Sequence, residues 1–293
     1  QSAKEAAEYG GMFMDLVNPF QPFFHLDMDH KRQTGPRFYF RGRHAMPSRV
    51  PTHQEIFLKV WRAKDVQLES VKSEWFNHNR AFKAGVPVAD PVLSKLGRST
   101  CSHGVEYLVF AVEFIHQDLL KTFEHLWQYC ISLIEAVLTL HQQAKMLHCD
   151  LKPANIRWRN GAIVLIDFEH AQDIGTADWA PGTTGYQAPE ILNNMPCSVM
   201  TDTFAVGRIL HEKSKTFWTR ILDPQQKHTM ETLHEVSLKL TDASPMKRWS
   251  LQKALHALQT VYNPEHHAKD FVQTRLASTM ALRPHCNSKL AMF

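Results

Sequence analysis

The chain has 293 residues, of which 44% are hydrophobic and 21% are charged, and its net charge is +4. This composition is that of an ordinary globular protein and argues against a collagen, a coiled coil or a disordered chain. Its 33 basic residues are interspersed with 29 acidic ones and form no dense block. We therefore predict neither a nucleic-acid-binding nor a membrane-binding surface.

The cysteines indicate a reducing environment. There are five, widely spaced and without a C-x-x-C pair, so we expect neither a disulfide framework nor a zinc cluster but an intracellular protein, cytoplasmic or nuclear. The longest apolar runs, 107–115 and 129–140, are shorter than the roughly 20 residues that cross a bilayer. The chain begins with Gln1 rather than Met, which leaves open a removed signal or a longer parent protein.

Short strands come first in chain order. Residues 1–32 carry scattered aromatic side chains without a clear period, and we interpret them as an N-terminal extension. Residues 37–40 and 55–61 are rich in aromatic and β-branched side chains and are predicted to be strands. After Asp65 the apolar period lengthens to that of a helix, which should end at Gly85.

One more strand is followed mainly by helices. Residues 105–113 predict a strand and residues from about 119 to 141 a long helix, with further helices in the C-terminal third. Strands with a single helix, then mostly helices, predict an α+β fold of two unequal lobes. We place the strand-rich lobe at 33–113, the helical lobe at 114–262 and a C-terminal tail at 263–293.

The groups that phosphoryl transfer requires are concentrated in residues 147–156, LHCDLKPANI. Asp150 offers a carboxylate for a hydroxyl proton, Lys152 a positive charge for the γ-phosphate, and Asn155 an amide oxygen suited to Mg²⁺. Asp167, at the end of the next apolar strand, offers a second oxygen ligand. A loop, a hairpin and a strand end can bring these four groups together.

This block resembles the catalytic loop H-R-D-L-K-P-x-x-N of protein kinases, and Asp-Phe-Glu at 167–169 resembles their Asp-Phe-Gly. Three further motifs resemble the family's and follow in its order: an Ala-Pro-Glu ending at Glu190, an Asp-x-x-x-x-Gly helix from Asp202, and an arginine motif at Arg248. The resemblance implies a two-lobed protein kinase-like fold, with a small antiparallel sheet and one helix in the N-lobe and a mainly helical C-lobe. It also implies a buried ion pair between Glu190 and Arg248.

The resemblance further implies roles for the predicted site. Asp150 would accept or orient the proton of a protein hydroxyl, and Lys152 would contact the transferred phosphoryl group of ATP. Asn155 and Asp167 would bind Mg²⁺ and, with it, the nucleotide. Lys152 and Thr183 resemble the serine/threonine branch of the family, so the implied partner is a protein substrate.

The upstream half of the site is also implied by resemblance. Lys59, in the middle of a strand, matches the ATP-anchoring lysine, and Glu74 is its expected partner on the helix. Lys64 and Glu69 are rival candidates, but Lys64 lies beyond the strand and Glu69 is early in the helix.

The end of the strand at 105–113 resembles the adenine-binding hinge. Backbone groups of Glu113 and Ile115 would contact adenine, and Val112 would lie at the back of the pocket. These residues complete the ATP-binding set.

Three departures from the family pattern stand out. No G-x-G-x-x-G precedes Lys59, so the lid over ATP should be unusual. Cys149 replaces an arginine that pairs with a phosphorylated loop, so we expect a loop that orders without phosphate and a cysteine that fills a small, semi-buried space. Glu169 replaces a glycine, so we expect backbone strain there and a disfavoured flip of Phe168. The carboxylate of Glu169 either adds to the cation-binding field or points into solvent.

Two alternative functions stay open. One is a pseudokinase, a nucleotide-binding or scaffold module in which the missing glycine-rich loop leaves chemistry slow. The other is a small-molecule kinase of the aminoglycoside or choline kinase type, in which this strand often ends in Ile-Asp-Phe-Glu. Lys152, Glu190 and Arg248 favour an ATP-dependent serine/threonine protein kinase, which is our prediction. The sequence leaves the oligomeric state unknown.

Overall fold

The computed structural model describes residues 24–34, 37–44, 55–93, 96–100, 104–218 and 224–261. They belong to two compact units. The first runs to Ile115 and also includes Ile166–Ala171, and the second comprises His116–Leu165 and the chain from Gln172 onwards. The six residues that carry the Asp-Phe-Glu motif therefore belong to the strand-rich unit, although their neighbours in the chain belong to the helical one.

A five-stranded antiparallel sheet forms most of the first unit. Its strands are β1 (Phe24–Thr34), β2 (Arg37–His44), β3 (Glu55–Arg62), β4 (Gly97–Thr100) and β5 (Glu106–Glu113), in the order β1-β2-β3-β5-β4. Because successive side chains of a strand point to opposite faces, alternate residues of β2, β3 and β5 form one apolar cluster. Its buried members are Phe38, Phe40, Ile56, Leu58, Val60, Tyr107, Val109 and Ala111.

Helix α1 (Leu68–Lys83) completes the first unit. Its buried residues recur every three or four positions, the spacing of a single helix face: Val71, Glu74, Asn77, His78 and Ala81. The helix ends as predicted, at Gly85, whose φ of +78° is readily accessible to glycine. The next amide, of Val86, donates to the carbonyl of Ala81 at 3.0 Å and closes the last turn.

The second unit is mainly helical. Its helices are α2 (Phe123–Gln142), α3 (Pro189–Leu192), α4 (Val199–Trp218), α5 (Pro224–Leu240) and α6 (Leu251–Val261). Two small antiparallel pairs accompany them: β7 (Ile156–Arg159) with β8 (Ala162–Leu165), and β6 (Met146–Leu147) with β9 (Gln172–Asp173).

Gly207 explains why the Asp-x-x-x-x-Gly motif of α4 ends in glycine. A Cβ atom at this position would lie 2.7 Å from Cβ of Leu240 and 2.8 Å from Cγ2 of Thr241. Real side chains do not approach so closely, so any larger residue would push α4 away from the end of α5.

The fold confirms the predicted α+β class, with a strand-rich unit followed by a helical one. The boundary predicted at residue 32 falls inside β1, because the alternation of apolar Phe24 and Leu26 with polar neighbours is a strand period. The long helix begins at Phe123 rather than near 119, because the Thr122 hydroxyl caps it by accepting from the amide of His125 at 3.2 Å. Residues 1–23 of the predicted extension and the tail at 263–293 lie outside the described residues.

Candidate active site

Lys59 lies in the middle of β3 and is held between two carboxylates. Its ammonium group donates to Oε1 of Glu74 and, at 2.7 Å, to Oδ1 of Asp167. Only 9% of Lys59 and 2% of Glu74 are exposed. The rival Glu69 pairs instead with Lys72 at the surface. The structure thus brings Lys59, Glu74 and Asp167 together within the first unit.

The two carboxylates keep this ammonium group charged. Burial by itself lowers the pKa of Lys59, but the charges of Glu74 and Asp167 outweigh it and raise the pKa above its usual value. Burial raises the pKa of Glu74, and the charge of Lys59 opposes that shift. Lys59 is therefore a buried, permanent cation of the kind that can hold phosphate oxygens. Its contact with ATP stays a prediction.

The segment Ile166–Ala171 is anchored to α1 at several points. Phe168 is fully buried, and its ring meets the ring of His78 edge to face, with centroids 5.6 Å apart. Asn77 Nδ2 donates to the carbonyl at the end of the segment, at 2.9 Å. These contacts fix the backbone that follows Asp167, whose carboxylate faces Lys59.

Glu169 differs from expectation in two ways. The left-handed residue in this segment is Asp167, with φ of +68°, and not Glu169, so the predicted backbone strain at Glu169 is wrong. Aspartate tolerates this conformation better than most residues. The carboxylate of Glu169 does not point into solvent but accepts two hydrogen bonds from the guanidinium group of Arg37 on β2.

The predicted hinge follows directly from β5. Val112 and Ile115 are 8% and 7% exposed, and Glu113 is half-buried. The amide of Glu113 donates to the carbonyl of Asp90 at 2.8 Å, and the following amide donates to the carbonyl of Glu55 at 2.8 Å. The end of β5 is thus tied to β3 and to the loop after α1, while its contact with adenine stays a prediction.

Asp150 is the centre of a second polar cluster, in the second unit. Lys152 Nζ donates to one carboxylate oxygen of Asp150 at 2.6 Å, and the Thr183 hydroxyl donates to the other at 2.6 Å. Lys152 Nζ also donates to the Thr183 hydroxyl at 2.8 Å. Asn155 Nδ2 donates to the Asp150 carbonyl at 3.0 Å and to its carboxylate at 3.2 Å. All three predicted residues of the catalytic loop therefore meet.

Asp202, near the start of α4, bonds to the backbone of this loop just before Asp150. Its carboxylate accepts the amides of His148 and Cys149 at 2.8 and 3.0 Å, and His141 Nε2 at 2.9 Å. Burial raises the pKa of Asp202, but the hydrogen bond and charge of His141 outweigh it and lower the pKa. These bonds hold Cys149 in a left-handed conformation, with φ of +62°, immediately before Asp150.

Cys149 fills a semi-buried space, as predicted. It packs against a buried cluster that includes Leu147, Ile191 and Cys197. The hydrogen bond with Cys197, together with burial, raises the pKa of the Cys149 thiol far above its usual value. The thiol therefore stays protonated at neutral pH, which makes it a poor nucleophile.

The ion pair implied between Glu190 and Arg248 is present. Arg248 donates to the two carboxylate oxygens of Glu190 at 2.7 and 3.1 Å, and its side chain is fully buried. The same guanidinium group donates to the carbonyls of Met200, at 2.6 Å, and Asp242, at 2.9 Å. It also lies 5.1 Å from the ring centroid of Phe204. This pair connects α3 to the segment before α6.

Arg37 and His141 are site residues that sequence reasoning did not single out. Their partners are 132 and 61 residues away in the chain, so no local pattern identifies them. The only sequence signal for Arg37 is its position at the start of the predicted strand 37–40, which comes before the strand that carries Lys59.

No helix within the described ranges is long and apolar enough to cross a membrane. The same part of the chain contains no group of three or more His, Cys, Asp or Glu residues placed to hold a metal ion.

Comparison with known proteins identifies the family. Residues 98–292, more than half of the chain, match the protein kinase domain family. The chain therefore belongs to the protein kinase family. The match begins at β4, so the assignment rests on β4, β5, the catalytic loop and the helical unit, while β1 to β3 and α1 lie before it.

The chain is similar to several serine/threonine protein kinases. It is 29% identical over 130 residues to serine/threonine-protein kinase PknG of Mycolicibacterium smegmatis, covering 42% of this chain and 17% of that protein. It is 36% identical over 92 residues to PknG of Mycobacterium leprae, covering 31% and 12%. It is 31% identical over 134 residues to serine/threonine-protein kinase 1 of a Lymantria dispar nuclear polyhedrosis virus, covering 44% and 48%. The chain thus spans less than half the length of each of these relatives.

Proposed function

We propose that this chain is a serine/threonine protein kinase that uses ATP and Mg²⁺ to phosphorylate protein hydroxyls. The observation that carries the proposal is the cluster around Asp150. There a carboxylate, an ammonium group and a hydroxyl contact one another at 2.6 to 2.8 Å. An acceptor hydroxyl needs a nearby base, and the transferred phosphoryl group needs a nearby cation.

Asp150 is the proposed catalytic base. Its carboxylate already accepts a hydrogen bond from the Thr183 hydroxyl at 2.6 Å, which supports its ability to accept one from a substrate hydroxyl in the same way. Lys152 would steady the negative charge of the transferred phosphoryl group.

Lys59 is the proposed phosphate anchor of the nucleotide. Its charge is maintained by Glu74 and Asp167, and its position in a buried strand limits its movement. Backbone groups of Glu113 and Ile115 are the proposed adenine contacts, and Val112 is proposed to lie at the back of the adenine pocket.

Asn155 and Asp167 are the proposed holders of Mg²⁺. The amide nitrogen of Asn155 donates to Asp150. These bonds fix the orientation of the amide, and therefore of its oxygen, which is the proposed metal ligand. Amide and carboxylate oxygens are the ligands that this hard cation prefers. When bound, the ion would neutralise charge on the ATP phosphates.

Two contacts favour a protein substrate over a small molecule. Glu169 is the residue that suggested a small-molecule kinase, and its pairing with Arg37 gives it a structural role instead. The buried pair of Glu190 and Arg248 supports the segment that the family uses to bind peptides. The intracellular location stays a prediction from the dispersed cysteines.

Substitution of Asp150 tests the proposal. We expect Asp150→Asn to reduce transfer of radiolabel from Mg²⁺–ATP to serine- and threonine-containing peptides by about 100-fold or more, because a general base typically contributes that much. Nucleotide affinity, measured by the thermal shift that Mg²⁺–ATP produces, should stay nearly unchanged. Asp65→Asn, at an exposed aspartate, is the matched control.

The same assays separate the alternatives. Transfer that survives Asp150→Asn would contradict the assignment of the base. A thermal shift without turnover on any peptide would favour a pseudokinase. Phosphorylation of choline or an amino sugar, with none of peptides, would favour a small-molecule kinase.

A further inference from the structure

The pair formed by Arg37 and Glu169 joins two parts of the first unit that are far apart in the chain. Arg37 is the first residue of β2 and lies opposite Thr34 of β1 and Trp61 of β3. Its Nη1 donates to Oε2 of Glu169 at 2.6 Å, and its Nη2 donates to Oε1. Two parallel bonds of this kind fix the direction of both side chains, which a single contact would not.

The environment of this pair makes it stronger than an ordinary surface salt bridge. The two side chains are only 27% and 20% exposed, so water screens their attraction less than at an open surface. Burial by itself would lower the pKa of Arg37, but the hydrogen bond and charge of Glu169 raise it above its usual value. The guanidinium group therefore keeps its charge across the physiological pH range.

Glu169 attaches its segment to strand β2, whereas Asp167 contacts Lys59 on β3. Phe168 and the carbonyl of Ala171 contact α1, through His78 and Asn77. Glu169 contacts the sheet instead, at β2. The segment Ile166–Ala171 is thus attached both to α1 and to β2.

Asp167 lies next to this double attachment. It is left-handed, with φ of +68°, a conformation that costs an aspartate free energy and persists only where surrounding contacts hold it. Its carboxylate contacts Lys59 at 2.7 Å, and its orientation is set by a backbone anchored one residue later at Phe168 and two residues later at Glu169.

We propose that Arg37 and Glu169 are positioning residues that hold Asp167 against Lys59 and so prepare it to bind the metal–nucleotide complex. The inference rests on the proposed function only for the identity of that ligand. Because β2 begins with Arg37, the same pair attaches the β1–β2 hairpin to the metal-binding segment. In a chain without the G-x-G-x-x-G pattern, this ion pair limits the movement of the hairpin.

Hydrogen exchange of the ligand-free protein tests the contact directly. We expect Arg37→Gln and Glu169→Gln each to speed amide exchange within residues 166–171 by about tenfold or more, since loss of an anchor favours local opening. The charge-swapped double variant, Arg37→Glu with Glu169→Arg, should restore part of the protection. Arg98→Gln, which breaks an exposed pair in the same unit, should leave the exchange of this segment unchanged.

Nucleotide binding provides a second readout that a merely structural role would not change. We expect each single variant to weaken binding of Mg²⁺–AMP-PNP by roughly tenfold, because Asp167 acts through the metal, and to leave binding of metal-free AMP-PNP nearly unchanged. Arg37→Lys should retain part of the affinity, since it keeps the charge but not the two parallel bonds.

The outcomes of this inference and of the proposed function can be told apart. The inference would be overturned if both single variants left amide exchange at 166–171 unchanged. It would also be overturned if the charge-swapped double variant protected these amides no better than the worse single variant. Equal loss of affinity with and without Mg²⁺ would also overturn it. A wild-type chain that binds Mg²⁺–AMP-PNP but transfers no phosphate would defeat the proposed function and leave this inference standing.

Discussion

Replacing Arg248 by methionine should destabilise the protein more than any surface substitution. Methionine fills much of the same volume but removes the charge that balances Glu190. Arg248 is fully buried and Glu190 is 12% exposed, so the carboxylate left behind could not be solvated well. The substitution also leaves the carbonyls of Met200 and Asp242 without this donor.

The expected cost follows from this burial. Breaking a buried ion pair by removing one partner typically costs about 3 to 5 kcal/mol. A domain of this size loses about 2 to 4 °C of Tm per kcal/mol, so Tm should fall by roughly 10 °C. That loss is a large part of the roughly 5 to 15 kcal/mol by which domains are usually stable.

Urea and thermal denaturation followed by circular dichroism measure this cost. Arg248→Met, Glu190→Gln and the double variant form a cycle in which the double variant should cost clearly less than the sum of the single ones. Arg98→Met is the matched control, because Arg98 and Glu106 form an exposed pair with N and O 3.2 Å apart. Its expected cost is at most about 1 kcal/mol.

Two results would refute the reasoning. If Arg248→Met costs no more than Arg98→Met, the buried pair does not stabilise the fold. If the free-energy costs of the two single variants simply add in the double variant, the stability lost in Arg248→Met comes from the bonds of Arg248 to the carbonyls and not from its pairing with Glu190.

Two further predictions concern buried polar groups. Burial, together with the charge of Lys59 and against the bond to Ala89, lowers the pKa of His78 from 6.5 to about 4. As the pH falls, His78 therefore becomes protonated in the unfolded chain at a higher pH than in the folded one. The free energy of unfolding should fall by about 2 kcal/mol as the pH drops from about 7.5 to about 5. His78→Gln should flatten that dependence in urea denaturation, and an unchanged slope would contradict the assignment. Asp202→Asn should cost about 2 kcal/mol or more and reduce phosphate transfer, because one amide oxygen cannot replace a carboxylate that accepts three bonds. A variant as stable and active as Asp65→Asn would show that Asp202 does not support the loop.

The catalytic loop could be predicted from the sequence because its groups are close in the chain. Asp150, Lys152 and Asn155 lie within six residues, and the contacts among them are set by local backbone geometry. The pairing of Lys59 with Glu74 was implied by the family resemblance, and the structure confirms the contact. Periodicity likewise predicted the end of α1 at Gly85, where a glycine terminates the helix.

The contacts that the sequence could not predict join distant segments. The sequence predicted a strained Glu169 whose carboxylate binds a cation or points into solvent, because nothing near it in the chain indicates that Arg37, 132 residues earlier, lies within bonding distance. The same holds for His141 and Asp202, 61 residues apart.

Composition, period and motif order by themselves determined the fold class and the family resemblance, and they predicted the residues that cluster around Asp150. Only the tertiary structure decided which distant residues bond to the site: Arg37 to Glu169, and Asp202 to the loop before Asp150. The physical reason is that a charged group is recognised locally by its type, whereas its partner is selected by how sheet and helices pack, and that depends on the whole chain.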